Sequence, residues 1–97
     1  MVGKSLNEFL ESLCHGGEME FRYKNREFLI QSETIDGVST IRLDEFKGNY
    51  VKGNFNFIEK IIKGDSFEDC VKKLIASSFI DDKTIFEIEE EIEVIFG

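Results

Sequence analysis

The chain has 97 residues, 20 acidic against 12 basic, for a formal net charge of −8, with 41% hydrophobic residues and no proline. That length predicts a single domain over residues 1–97 with one modest core. The composition excludes disorder and membrane classes, with no run near the roughly 18 apolar residues of a membrane span. The acidic balance argues against direct nucleic-acid binding, which needs clustered Lys and Arg to neutralise phosphates, and against an anionic membrane surface.

Residues Met1–Leu13 lack the apolar core and small-residue cleavage site of a signal peptide. Cys14 and Cys70 make no disulfide framework, so free thiols in a cytoplasmic setting are expected. The chain is rich in Phe, Ile, Asn and Lys, and its single alanine is Ala76. That is the bias of AT-rich codons and suggests a low-GC bacterial or phage gene.

The first predicted element is a helix. Ser5 with Glu8 has the capping-box form, Leu6, Phe9, Leu10 and Leu13 recur at helical spacing, and Gly16-Gly17 is a stop. Glu18–Tyr23 then alternates, with Met19, Phe21 and Tyr23 on one face. A turn at Lys24-Asn25-Arg26 leads to a second strand over Glu27–Glu33. Asp36-Gly37 is a strong hairpin signal, and a third strand runs over Val38–Asp44. A two-residue turn there sets Ile30 opposite Leu43 and Ser32 opposite Ile41. Both turns then gather Met19, Phe21, Tyr23, Phe28, Ile30, Ile41 and Leu43 on one face of a meander.

Residues 45–64 carry two readings. Asn56-Phe57-Ile58-Glu59 resembles a capping box leading to Ile61, Ile62 and a stop at Gly64, and the same stretch also fits an edge strand. Gly48 and Gly53 mark the preceding run as a loop. Ser66 caps a helix with Phe67, Cys70, Val71, Leu74 and Ile75 as its stripe, followed by a turn at Asp81-Asp82. Thr84 with Glu87 opens a final helix, striped by Ile85, Ile88, Ile92 and Ile95 and running to about residue 92, with the last residues extended. The expected fold is therefore α+β: an N-terminal helix, a three-stranded antiparallel meander, and two or three C-terminal helices packed on one sheet face.

Charge is distributed unevenly. Residues 65–97 hold ten acids and three bases, a balance of −7, while residues 1–64 hold ten acids and nine bases. Like-charged neighbours on one helix destabilise it, so Glu87, Glu90 and Glu91 are costly there. A docking face for a basic protein explains them, with Asp81, Asp82, Glu87, Glu90 and Glu91 as the partner-binding residues. A merely solubilising face is the competing explanation.

No enzyme chemistry is expected. His15 beside Cys14 lacks metal-ligand spacing with Cys70 and an orienting third group for catalysis, so neither a metal nor a cofactor is predicted. Asp65, Asp81 and Asp82 form no calcium loop. Arg22, Lys24, Arg26 and Arg42, interleaved with Glu20, Glu27 and Glu33, read as cross-strand charge pairs.

Two stretches, Glu20–Ile30 with its turn at Asn25 and Asp82–Ile92, resemble the tight hairpin and closing helix of small uncharacterised bacterial and phage α+β proteins. The resemblance implies a compact α+β domain and carries no functional residue. The function expected is a non-enzymatic, acidic protein-interaction module of inhibitor or immunity type. The alternatives are a small-ligand-binding or regulatory domain, or a homodimeric structural module paired through edge strands.

Overall fold

The computed structural model describes the backbone of residues 1–49 and 53–97 and the side chains of residues 1–47 and 57–97. Helix α1 (Leu6–Cys14) opens the chain with the expected capping box, Ser5 Oγ accepting from the Glu8 amide and Glu8 from the Ser5 amide. It buries Phe9 and Leu13 and ends at His15. Strands β1 (Glu18–Tyr23), β2 (Arg26–Ile35) and β3 (Val38–Asn49) form an antiparallel run.

The register follows from the turns. Lys24 and Asn25 have φ of 50° and 61°, and Asp36 and Gly37 have 51° and 79°. Two consecutive positive-φ residues make the turn that matches strand twist. They set Phe21 opposite Phe28, Met19 opposite Ile30, Ile30 opposite Leu43 and Ser32 opposite Ile41. The pairings at Ile30 and Ser32 are those predicted.

The sheet is not the predicted three-stranded meander. The sheet has five strands in the order β4-β3-β2-β1-β5, with β4 spanning Gly53–Gly64 and β5 spanning Glu93–Phe96. Of the two readings of residues 56–64, the strand holds, and no helix forms there. Gly48 lies inside β3 rather than in a loop. A bulge in β4 explains the double reading. Leu43 pairs with Lys60 and Asp44 with Ile58, which leaves Glu59 as an extra residue. The insertion puts Ile58 and Ile61 on one face of a strand, although their separation is that of a helix.

The predicted final helix is also shorter than expected. Helix α3 (Ile85–Ile88) opens with the Thr84–Glu87 capping box, gives way to a 3-10 turn at Glu89–Glu91, and passes into β5. Ile85, Ile88 and Ile92 are buried, but Ile95 is exposed. On a longer α-helix Glu87 would face Glu90 and Glu91, and Glu89 would face Glu93, like charges at i,i+3 or i,i+4. The α-helix ends at Ile88, before these pairs form. β5 then adds to the free side of β1, with Phe21 opposite Val94 and Arg22 opposite Glu93.

Helix α2 (Phe67–Ile75) is capped by Ser66 and buries Cys70, Val71 and Leu74. With α1, α3 and the Phe79-Ile80 segment it covers one sheet face. One core joins Phe9, Leu13, Cys70, Val71, Leu74, Phe79, Ile80, Ile85, Ile88 and Ile92 to the inward residues of all four long strands. Phe21 is its aromatic centre. It stacks on Phe28 and Phe79 at centroid separations of 5.1 and 5.9 Å and meets Phe9 edge-on at 5.9 Å. Among the described residues the opposite sheet face carries no helix.

The N-terminal residues lie along β5. Val2 donates to the Ile92 carbonyl and accepts from the Val94 amide, both at 2.9 Å. Gly3 has φ of +87°, and a Cβ there would stand 2.6 Å from the Val94 carbonyl oxygen. Only glycine lets the two backbones approach so closely.

Candidate functional site

The predicted partner-binding residues share one short segment but not one helix. Asp81 and Asp82 occupy a two-residue turn with φ of 54° and 60°, closed by the Ile80–Lys83 bridge. Glu87 is engaged at the start of α3, where its Oε1 accepts from the Thr84 amide at 2.9 Å. Glu90 and Glu91 stand exposed on the 3-10 turn.

Their charges are not equally available. Asp81 accepts from Arg26 at 2.8 Å. Beside the predicted set, Glu93 lies 3.9 Å from Arg22, and Glu89 lies 4.0 Å from the Met1 ammonium. Among the described residues Asp82, Glu87, Glu90 and Glu91 make no ion pair. Among the described residues Asp82, Glu90 and Glu91 thus leave their carboxylates to solvent or a partner, whereas Asp81 is held by Arg26 and Glu87 by the Thr84 amide.

Exposed apolar side chains interrupt this acidic run. Phe86 projects from α3 to solvent, and Ile95 and Phe96 are exposed on β5, Phe96 at 64%. Phe96 pairs with Glu20, so β1 adds a carboxylate beside it. Aromatic anchors within a charged rim are the composition of protein interfaces. The helical reading of the sequence had assigned Ile95 to the core.

A second charged cluster lies at the far end of the core face and was not foreseen. Arg26 grips Glu45 with two parallel bonds, Nε to Oε2 at 3.1 Å and Nη2 to Oε1 at 2.8 Å, while Nη1 reaches Asp81. Glu45 is only 5% exposed. The Arg26 guanidinium holds the Glu45 carboxyl below its usual range. Glu59, in the bulge, is pushed up, first by lost solvation and then by a hydrogen bond shared with Glu45. Arg26 also lies over the Phe28 ring at 5.1 Å. A bidentate, stacked guanidinium with both arms occupied is a clamp between β2, β3 and the Asp81 turn.

Of the other basic residues read as cross-strand pairs, Arg22 meets Glu27 directly across the strands at 3.4 Å. Arg42 instead pairs within β3, with Asp44 at 2.9 Å, and Lys24 lies over the Tyr23 ring. His15 is exposed at the end of α1. Cys14 and Cys70 are free thiols, both pushed above the usual value chiefly by burial. Among the described residues no group of three or more His, Cys, Asp or Glu is placed to hold a metal ion, and no helix is long and apolar enough to cross a membrane. No protein-family model, curated protein or solved structure matches this chain.

Proposed function

We propose that this protein is a non-enzymatic interaction module that binds a basic protein through the surface formed by Phe86–Phe96. The observation that carries the reading is the pairing of uncommitted charge with exposed apolar anchors in eleven consecutive residues. Glu87, Glu90 and Glu91 have no ion-pair partner among the described residues, and the exposed Phe86 precedes them while the exposed Ile95 and Phe96 follow them. Carboxylates of this kind steer a cationic partner, and the aromatic side chains supply the area that holds it.

The test is capture from a nuclease-treated bacterial lysate at low salt, comparing the wild type with a Glu90→Lys/Glu91→Lys variant. Both positions are exposed and uncapped, so the variant keeps its fold. A basic protein released by salt from the wild type and not held by the variant supports the reading, because exposed charge pairs are screened over about 8–10 Å. A partner held equally by both refutes it.

A further inference from the structure

We propose that two copies of this chain associate through the free edge of β4, in a two-fold antiparallel pairing that continues the five-stranded sheet into one of ten strands. The interaction is independent of the acidic surface, which lies on the opposite side of the sheet.

The choice of edge follows from the hydrogen bonding. A sheet of this order has two edges, β4 and β5. The β5 edge is occupied over Ile92–Val94 by Val2. Among the described residues no strand pairs with the far side of β4. An edge strand presents a row of unpaired amides and carbonyls, and proteins guard such edges with proline, outward lysines or a covering element. There is no proline in the chain. Lys60 is turned away from the edge, its Nζ donating to Ser77 Oγ at 2.9 Å and to the Ser78 carbonyl. Beyond Ile62 the strand is tied off, where Lys73 Nζ donates to the Lys63 carbonyl at 2.9 Å. Among the described residues nothing pairs with the edge from Phe57 to Ile62. It carries Phe57, Ile58 and Ile61 at 49%, 54% and 48% exposure.

The bulge then selects the register. In a regular strand, two-fold antiparallel pairing sets a residue opposite one an even number of positions away, because only those share a face. Glu59 breaks this parity by putting Ile58 and Ile61, three apart, on the same helix-free face. Pairing Ile58 of one copy with Ile61 of the other then becomes consistent with the faces, and the two-fold repeats it. Four isoleucines meet across the seam. The same register sets Phe57 opposite Ile62 on the inner face. The apolar pattern of this edge is complementary to its own reverse, which is the requirement for an isologous interface.

The experiment uses the full chain in analytical ultracentrifugation over a range of concentrations. The wild type is expected to approach twice the monomer mass. Ile61→Lys, at an exposed position, is expected to remain monomeric and to unfold in one cooperative transition whose midpoint does not depend on concentration. The register is read by oxidation of two variants that each carry one exposed cysteine, Ile58→Cys and Ile61→Cys, in a Cys14→Ser background that keeps only the buried Cys70. A disulfide is expected in the mixture of the two and not in either alone, since only opposed positions bring Cβ atoms within reach. A wild type monomeric at every concentration, a dimer that survives Ile61→Lys, or equal cross-linking of either variant alone overturns the proposal.

Discussion

Replacing Arg26 by methionine isolates the contribution of the clamp on Glu45. Methionine keeps an apolar stem over Phe28 and removes the charge. Glu45 is then left in a site where it is only 5% exposed, without its two short bonds. Removing one partner of a buried ion pair costs about 3–5 kcal/mol, because the other charge stays buried and uncompensated. Two features place the cost at the lower end. The Arg26 side chain is itself 30% exposed, and the Lys47 ammonium lies 3.9 Å from Glu45. A loss of about 3 kcal/mol, with a urea slope of about 1.5 kcal/mol/M, lowers the unfolding midpoint by about 2 M. The control is Asp81→Asn, which removes only the exposed arm of the clamp and should cost no more than about 1 kcal/mol. The sign with pH is also fixed. The folded Glu45 carboxyl is held below its unfolded value, so its contribution is present above the unfolded value and is lost as pH falls through the folded one. The penalty of Arg26→Met should therefore shrink in acid, where the stranded carboxylate is neutralised. A variant no less stable than Asp81→Asn, or a penalty that does not change with pH, refutes the clamp.

Glu59 should behave in the opposite sense. Its folded carboxyl is raised above the unfolded value, so its favourable contribution is present below that value and is lost as pH rises through the folded one. Glu59→Gln is expected to raise Tm at neutral pH and to leave it nearly unchanged in acid, which thermal melts at both pH values will read. Phe21→Ala removes the ring shared by Phe9, Phe28 and Phe79 and should cost about 3–5 kcal/mol in denaturant unfolding. Gly37→Ala meets nothing within 4 Å but forces alanine to φ of +79°, so a loss of about 1 kcal/mol is expected from backbone strain alone.

The β1–β3 half of the sheet was legible because two independent signals agree there. Alternation assigns the faces, and the Asn25 and Asp36-Gly37 turns fix the phase between strands. β4 was ambiguous for a definite reason. Its bulge converts the period of a strand into the i, i+3, i+4 spacing of Ile58, Ile61 and Ile62, which sequence alone cannot distinguish from a helix. The last third failed differently. Ile85, Ile88 and Ile92 are buried as a helical stripe requires, yet the backbone leaves helical form at Glu89, and β5 forms because β1 offers an unpaired edge. That partner is non-local, so the expectation of an extended end did not reveal a fifth strand. The acidic positions were legible from composition. The Arg26–Glu45–Asp81 clamp was not, because it joins residues 19 and 55 positions apart.

In the language of polymer chemistry, a sheet with one reactive edge is monofunctional and a sheet with two is bifunctional. The first can only cap a chain, whereas the second can propagate one. The two bonds from Val2 to Ile92 and Val94 hold this molecule in the first class. A chain beginning after Gly3 would present β5 and β4 together, and growth would no longer stop at the first addition. The tight passage of Gly3 past Val94 is, in that sense, a chain stopper built into the fold.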